Sequence, residues 1–313
     1  MRPPFAEDLV LGVALEAAPE VTIDHGLAAQ YLAVTGDPLR LPLSASASRA
    51  VTGRDARLVN PGLVFGVSIG QSTVATGRVI ANLLYRNVAL RRQVHVGETL
   101  RTVVTPRAAA WTRSGTERAK VLLEMDLSTA EGELLASYQR LALIPVARPD
   151  RLVTAGLPAD QDAPLSSFAV LVPPDWSFGP EDAAVPGSVL TDPLADTVSA
   201  AREYARMTLN LAAAHRDARA GIDGRRLVYG GHTIALAQAS VARVLPELLT
   251  VLAWRSCDHL GPVFEDDLLE FDTTVDARDG ALADVTVLAR AVRGAERVDV
   301  LRWRPVLLLG SIQ

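Results

Sequence analysis

One hexapeptide pattern, Arg-Leu-Val-x-x-Gly, occurs twice in this chain, at residues 57–62 and, 169 positions later, at residues 226–231. Each copy is followed by a long apolar segment with helical spacing. The same offset separates two further related segments, residues 93–100 and residues 262–269. Because two separate segments keep one offset, we interpret the chain as one fold duplicated. Differences between the halves then indicate which half contains a functional site.

The composition is that of a packed protein with no electrostatic signature for nucleic acid. The chain has 313 residues, of which 49% are hydrophobic and 21% charged, a length typical of about two domains. The net charge is −5, with basic and acidic residues interspersed, so no nucleic-acid partner is expected. No apolar stretch reaches the roughly 20 residues of a membrane span, so no membrane partner is expected.

The N-terminus and the cysteine content favour a cytoplasmic enzyme or binding protein. Glu7 and Asp8 occur where a secretion signal would have its apolar core. Cys257 is the only cysteine, which excludes an internal disulfide and a zinc cluster of cysteines. Its apolar neighbours predict that Cys257 is buried and serves packing.

Residues 148–180 are predicted to link an N-terminal domain, residues 1–147, to a C-terminal domain, residues 181–313. Prolines interrupt any regular element in and beside this segment, at Pro145, Pro149, Pro158, Pro164, Pro173, Pro174 and Pro180. A connection of this length is long for the inside of a compact domain. It suits a strap that crosses from one domain to the next.

Each half is predicted to contain helices followed by several strands. Asp24 can cap a helix that ends near Gly36, and a central helix is predicted over residues 62–84. The corresponding helices of the second half are predicted at residues 194–214 and 231–245. Strands are predicted at residues 21–23, 84–90, 99–105, 119–127, 135–144, 249–256, 268–275, 282–291 and 298–309. This order predicts an α+β fold in which each half is an antiparallel sheet wrapped around a central helix.

The loop before each hexapeptide differs between the halves. In the second half Asn210 and His215 lie five residues apart, whereas the first half has Asp37 and a proline, Pro42, in place of the histidine. A histidine can exchange a proton near neutral pH, and a neighbouring amide or carboxylate can fix its tautomer or a water molecule. The alternative is that His215 caps a helix C-terminus, where a cation is favourable. The sequence leaves both interpretations open.

Both hexapeptides end in a glycine at the start of a long helix, Gly62 in the first half and Gly231 in the second. Free backbone N–H groups and the positive end of the helix dipole meet at such a start, and glycine allows a ligand to approach the backbone closely. This geometry can stabilise a thioester oxygen that gains negative charge. A plain tight turn is the alternative. His232 either lines the same pocket or is buried in the first turn.

An acidic cluster, Glu265, Asp266 and Asp267, lies between the second hexapeptide and the next strand. The corresponding residues of the first half, 96–98, include one acid, Glu98. Because the cluster is not kept in the repeat, we interpret it as the turn that leads into a strand. No metal site is predicted.

These features resemble the MaoC-like branch of the hotdog-fold superfamily, which contains the R-specific enoyl-CoA hydratases. The resemblance lies in residues 5–12 (FAEDLVLG), 31–37 (YLAVTGD), 60–62 (NPG) and 94–100 (VHVGETL), and it extends to the second half through the repeat. More narrowly, residues 224–237 (GRRLVYGGHTIALA) and 81–85 (ANLLY), with Asn210 and His215, resemble the mesaconyl-CoA hydratase (β-methylmalyl-CoA dehydratase) subgroup. The resemblance implies a double hotdog whose two sheets pair edge to edge.

The resemblance also implies roles for individual residues. His215 matches the family's catalytic histidine and Gly231 heads the helix that holds the thioester oxygen. The family places an aspartate five residues before the histidine and an asparagine between them, where this chain has Asn210 and Ala212. Asp217 is a candidate replacement carboxylate if the loop folds back. The remaining substrate-binding candidates are Tyr229, Gly230 and His232 in the second half and Asp37 and Gly62 in the first.

The sequence therefore predicts a hydro-lyase that needs no cofactor, CoA being part of the substrate. The substrate would be a short branched or dicarboxylic enoyl-CoA, with the first half forming a substrate- and CoA-binding wall and the second half catalysing the reaction. A homodimer of double-hotdog units is expected. Two alternatives are a non-catalytic protein that binds acyl thioesters and an acyl-CoA thioesterase of the same fold.

Overall fold

The computed structural model describes residues 3–113, 115–159 and 162–312, so two positions of the predicted linker, 160 and 161, lie outside it. The α-helices are α1 (His25–Thr35), α2 (Arg40–Leu43), α3 (Ala45–Thr52), α4 (Pro61–Gln71), α5 (Thr73–Thr76), α6 (Ala201–Met207) and α7 (Gly230–Val244). The strands are β1 (Val21–Thr22), β2 (Ala81–Ala89), β3 (Thr99–Thr112), β4 (Gly115–Thr129), β5 (Leu134–Pro145), β6 (Val189–Thr191), β7 (Asp196–Thr197), β8 (Leu248–His259), β9 (Leu268–Asp279), β10 (Leu282–Arg293) and β11 (Glu296–Leu309). The helices α4 and α7 begin at the two hexapeptides.

All these strands belong to one antiparallel sheet that runs through both halves. Its order is β1-β3-β4-β5-β2-β8-β11-β10-β9-β6, and β7 also pairs with β9. The halves join where β2 pairs with β8, with Tyr85 opposite Cys257 and Val88 opposite Trp254. The α+β prediction and the edge-to-edge pairing of the two sheets are therefore confirmed. Cys257 is buried at this junction, as predicted, and burial raises the pKa of its thiol well above the usual value.

The duplicated hexapeptides make the same backbone contacts in both halves. The Val59 N–H donates to the Val94 carbonyl at 2.8 Å, and the Val228 N–H donates to the Val263 carbonyl at 2.8 Å. One residue earlier in each hexapeptide, an antiparallel bridge is repeated, between Leu58 and His95 and between Leu227 and Phe264. Both partners of each contact are related by the offset of 169, so the repeat in the sequence is a repeat in the structure.

The acidic cluster lies in the turn before β9, as predicted. The Asp267 carboxylate accepts a hydrogen bond from the Phe264 N–H at 3.0 Å, and Glu98 accepts from the His95 N–H at 3.0 Å in the first half. Asp267 also forms an ion pair with Arg293 at 2.7 Å. The carboxylate thus closes a turn in each half.

Two predicted helices extended too far. The central helix of the first half was predicted to residue 84 but ends at Gln71, followed by the short α5. The hydroxyls of Ser72 and Thr73 donate to the carbonyls of Ile69 and Gly70, at 2.6 and 2.5 Å. Such side-chain bonds compete with continued helical hydrogen bonding. The following segment joins the sheet as β2, because pairing with β5 buries its apolar side chains.

The predicted helix at residues 194–214 is also wrong in extent, since only Ala201–Met207 is α-helical. Residues 189–197 instead pair with β9 at the sheet edge as β6 and β7. After α6 the chain is tied to the first half by the Leu211 N–H, which donates to the Thr73 hydroxyl at 2.8 Å. These contacts between distant segments override the helical spacing of the sequence.

The proline-rich segment lies against the outer face of the sheet. A 3-10 helix at Leu165–Leu171 contributes Phe168, which packs with Trp176 and Phe178 against buried Leu249 and Leu308. The domain boundaries proposed from the sequence remain predictions. Among the residues described, no helix combines the length and the apolar character needed to cross a membrane.

Candidate active site

A cavity of about 300 Å³ lies between the two halves of the chain. Its walls include Asn82, Tyr85 and Arg140 of the first half and His215, Tyr229, Gly230 and His259 of the second. Ligand sites are commonly concave and placed between structural units, with a few polar groups in an apolar lining. The cavity is therefore the candidate active site.

His215 lies at the end of a 3-10 turn, Ala213–His215, and is held by the second hexapeptide. Its Nδ1 is 2.9 Å from the Leu227 carbonyl oxygen, so Nδ1 carries the proton and donates, leaving Nε2 as the acceptor. The Leu227 N–H donates back to the Ala214 carbonyl at 3.0 Å. Burial lowers the pKa of His215 to about 4, with the Arg140 charge adding to the effect. The imidazole is thus neutral at pH 7 and can accept a proton.

Asn210 is buried beside this loop but is not part of the cavity wall. Its Oδ1 accepts a hydrogen bond from the Ala212 N–H at 2.9 Å, and Asp37 Oδ1 accepts from the Leu39 N–H at 2.9 Å in the first half. The two residues therefore close equivalent turns, as their alignment predicted. The Asn210 Nδ2 has no hydrogen-bond partner among the described residues.

Asp217 does not supply the missing carboxylate. Its side chain is half exposed and pairs with Arg219 at 2.7 Å. It also accepts from the Arg219 N–H at 2.9 Å, which caps a second 3-10 turn, Ala218–Ala220. The hydrogen bonds from Arg219 lower the pKa of Asp217. The condition set for Asp217, a loop that folds back toward His215, is not met in the structure, because this local pair directs the carboxylate to solvent.

The start of α7 has its backbone donors free. Tyr229 occupies the N-cap position without a side-chain hydrogen bond to the helix. The N–H groups of Gly230 and Gly231 have no backbone or side-chain acceptor in the part of the chain that the structure describes. Gly230 lines the cavity, whereas the predicted Gly231 is buried one residue behind the wall. The positive end of the helix therefore faces the cavity.

Tyr229 and His232 have different surroundings. Tyr229 lines the cavity with its ring centroid 5.6 Å from that of His215, and its hydroxyl donates to the Gly66 carbonyl at 3.0 Å. His232 is fully buried and stacks on the Tyr204 ring at 4.7 Å, away from the cavity. Of the two possibilities for His232, the structure supports burial in the first helical turn.

Known proteins are similar to this chain in sequence and in structure. No family model matches the chain. It is 27% identical to mesaconyl-CoA hydratase from Cereibacter sphaeroides, over 84% of this chain and 80% of that protein. It is 26% identical to β-methylmalyl-CoA dehydratase from Chloroflexus aurantiacus, over 94% of this chain and 86% of that protein.

Two solved structures are similar over almost the whole chain. A conserved hypothetical protein from Mycobacterium tuberculosis, described as having a double hotdog fold, is 37% identical, with a TM-score of 0.82 and 98% of each chain covered. A MaoC-domain dehydratase from Chloroflexus aurantiacus is 22% identical, with a TM-score of 0.86 over 99% of this chain and 98% of the other.

This chain belongs to the double-hotdog family of its 37% identical relative from Mycobacterium tuberculosis. The predicted double hotdog is confirmed, and the two halves described above are its two hotdog units. Both curated relatives are named as a hydratase or a dehydratase, so the predicted enzyme class, a hydro-lyase, is confirmed.

In the first hotdog unit the equivalent helix start is closed. Pro61 stands at the position of Gly230 and has no N–H. The Asn60 side chain, at the position of Tyr229, accepts the Gly62 N–H at 2.8 Å. The Tyr31 hydroxyl also covers Gly62, so closely that a Cβ atom added to this glycine would clash with it. The predicted role of Gly62 in binding substrate is therefore not supported by its surroundings.

Asp37 completes this closed start. Its Oδ2 accepts hydrogen bonds from the Asn60 amide at 2.8 Å and the Gln238 amide at 2.7 Å. Burial raises the pKa of Asp37. Because Gln238 belongs to α7, this cluster ties the two hotdog units together. Asp37 is not part of the wall of the candidate active site and lines a separate cavity of about 100 Å³ in the first unit. Its hydrogen bonds give it a packing role, and they do not support the substrate binding that the sequence predicted.

Two residues of the double-hotdog cavity were missed by the sequence interpretation. His259 lies so close to Gly230 that a Cβ there would be 2.5 Å from its Cε1 and 2.8 Å from its Nε2, and burial lowers the pKa of His259 to about 4. Arg140 lies on β5 between buried Tyr138 and Ala142. The repeat offers a signal for His259, since the first unit has Leu90 at this position. For Arg140 the signal is a charged residue in an inward-facing position of an apolar strand.

Proposed function

We propose that this chain catalyses the reversible hydration of a short branched or dicarboxylic enoyl-CoA thioester. The observation that supports the proposal is that one cavity contains both the neutral His215 and the uncapped start of α7. A proton acceptor and an oxyanion site are the two elements that addition of water to an α,β-unsaturated thioester needs. The names of the two curated relatives, which refer to mesaconyl-CoA and β-methylmalyl-CoA, favour this acyl class.

In the proposed reaction a water oxygen bonds to the β-carbon while His215 Nε2 accepts one of its protons. The electron pair of the double bond moves toward the thioester, so negative charge develops on the carbonyl oxygen. The N–H groups at Gly230 and Gly231 would stabilise this charge together with the α7 dipole. Protonation of the α-carbon by His215 completes the net addition of one water, and dehydration reverses these steps.

The other predicted site residues enter the proposal as supports. Tyr229 would pack against the reacting group beside His215, since its ring lines the cavity. Asn210 would fix the loop that presents His215 through its bond to the Ala212 N–H, instead of holding the water directly. The proposal assigns no step to a cofactor, because CoA belongs to the substrate. A dimer of double-hotdog units and a cytoplasmic location remain predictions.

The first test is a panel of thioesters with His215→Ala beside the wild type. The panel contains mesaconyl-CoA, crotonyl-CoA and a saturated acyl-CoA, and it follows both loss of the double bond and release of free thiol. We expect the variant to lose about 10²- to 10⁴-fold in kcat, the usual contribution of a proton-transferring residue, while still binding the saturated thioester. His25→Ala, at an exposed position on α1, is the control and should retain full activity.

Each alternative has a distinct outcome in this panel. Binding without turnover of any thioester by the wild type would identify a non-catalytic acyl-thioester-binding protein. Thiol release with an intact double bond would identify a thioesterase. Turnover of crotonyl-CoA without turnover of mesaconyl-CoA would refute the narrower acyl class and leave the hydratase reaction in place.

A further inference from the structure

Arg140 is a buried cation whose hydrogen-bond partners among the described residues are all neutral. Its side chain is 3% exposed. Its Nε donates to the Asn82 amide oxygen at 2.6 Å, and its Nη1 donates to the hydroxyls of Ser72 and Thr76 at 2.9 and 3.1 Å. Within the described ranges it forms no ion pair, and its Nη2 has no hydrogen-bond partner. A guanidinium stays charged under all ordinary conditions, so this site is a fixed positive charge.

Two partly buried arginines, Arg243 and Arg255, show how the fold treats such a charge elsewhere. Arg255 pairs with Asp284 and Asp162, and Arg243 pairs with Asp192 and Asp196. Burial of an uncompensated charge is costly, so buried charges are normally paired. The neutral oxygens around Arg140 fix the guanidinium in place without cancelling its charge. This arrangement is typical of a group held ready for an anion that comes from outside the chain.

The position of Arg140 indicates where that anion would lie. Arg140 and His215 line the same cavity of about 300 Å³, and the Arg140 charge contributes to the lowered pKa values of both His215 and His259. The cation is therefore close to the proposed reaction centre. Because it lies inside the cavity and is almost fully buried, a group that enters with the acyl chain can reach it, whereas the phosphates of CoA would be at the opposite end of the substrate.

We propose that Arg140 binds a carboxylate at the far end of the acyl chain and so selects a short dicarboxylic thioester over a neutral one. The proposal rests on the proposed hydratase function and narrows its two acyl classes to one. The open Nη2 would donate to one carboxylate oxygen, and Arg–carboxylate contacts of this kind are strong and directional. The first hotdog unit would then supply specificity, while the second supplies the proton acceptor and the oxyanion site.

A binding measurement tests this inference without requiring turnover. Succinyl-CoA and butyryl-CoA are saturated, similar in length and different in one terminal carboxylate. We expect the wild type to bind succinyl-CoA about 10²-fold more tightly or better, in the range of a buried charge pair. Arg140→Gln should remove most of this preference while changing butyryl-CoA binding by only a few fold. Arg107→Gln, at an exposed arginine of β3, is the matched control and should keep the preference.

Further measurements distinguish the possible origins of the preference for succinyl-CoA. The same pair of acyl groups on N-acetylcysteamine, which lacks phosphates, should give the same preference; its disappearance would assign Arg140 to CoA phosphates and overturn the proposal. The proposal would also be overturned if the wild type bound both CoA esters with equal affinity, or if Arg140→Gln lost the same factor of affinity for both. A preference for binding the dicarboxylic thioester can be measured even if the protein has no hydratase activity. The failure of this inference can therefore be distinguished from the failure of the hydratase proposal.

Discussion

The two central helices of this double hotdog begin in the same way in the sequence and differently in the structure. The first residue of α4 is Pro61, which has no backbone N–H. The next backbone donor, the Gly62 N–H, is bound by the Asn60 side chain. At α7 both positions are glycine, and no side chain caps the helix. The difference shows that a duplicated helix start becomes a site only where its donors are left unbound.

The loops before the two helices differ in a related manner. Asp37 is buried and accepts hydrogen bonds from Asn60 and Gln238, so the first loop is closed by a polar cluster. Among the described residues the His215 ring makes one hydrogen bond, from Nδ1 to the Leu227 carbonyl, and its other nitrogen remains available to a ligand. At these two loops the first unit uses the Asp37 carboxylate for internal packing, whereas the second presents the His215 imidazole to the cavity.

The most direct test of this difference is a variant in which α7 begins with a proline, as α4 does. Gly230→Pro removes one backbone donor and crowds His259, which lies against Gly230. We expect a loss of about 10²- to 10³-fold in kcat on a short enoyl-CoA, the typical effect of deleting an oxyanion donor. The mirror variant Pro61→Gly should change kcat by less than a few fold. Thermal unfolding of both variants shows whether the loss reflects catalysis or folding, and equal losses from the two would contradict the asymmetry.

A second comparison separates stability from activity. Asp37→Ala leaves the buried Asn60 amide without its acceptor and removes one of the two acceptors of the Gln238 amide, so we expect the free energy of unfolding to fall by about 2–4 kcal/mol. The paired variant Asn210→Ala removes one hydrogen bond, to the Ala212 N–H, and should cost about 1 kcal/mol. Denaturant unfolding measures both. Asp37→Ala should retain the wild-type kcat, and a loss larger than that of Gly230→Pro would place the working site in the first unit.

The smallest expected effect is the response of activity to acid. Burial lowers the pKa of His215 to about 4 from the usual 6.5. A proton acceptor with the lowered pKa stays neutral as the pH falls, so kcat/KM should be nearly constant between pH 7 and pH 5. With the usual pKa the neutral fraction would fall more than tenfold over the same interval. A pH profile of kcat/KM that declines below pH 6.5 would show that His215 is exposed to water or is not the proton acceptor.

The sequence was sufficient for the architecture, and it indicated the second half as the candidate site. The repeated hexapeptide placed both helix starts, and Asp24 caps α1 through the Leu27 N–H at 2.7 Å, as predicted. The contrast of Pro42 with His215 identified the second unit as the candidate site. These features are local, so a short window of sequence contains the information that determines them.

The parts that the sequence did not predict depend on contacts between distant segments. Arg140 and His259 reach one cavity only because β5 and β8 meet through β2 in the joined sheet. The orientation of Asp217 was set by Arg219, a partner two residues away that the interpretation overlooked. Pairing of residues 189–197 with β9 shortened a predicted helix. In each case a competing partner decided the outcome.

The central claim is that one of the two duplicated helix starts holds the thioester. Calorimetric titration of the wild-type chain with a saturated acyl-CoA measures the number of binding sites per chain. We expect one site, because α7 has free backbone donors at the cavity and the start of α4 is closed by Pro61 and Asn60. Two sites per chain, or one site that Gly230→Pro leaves unchanged, would contradict it.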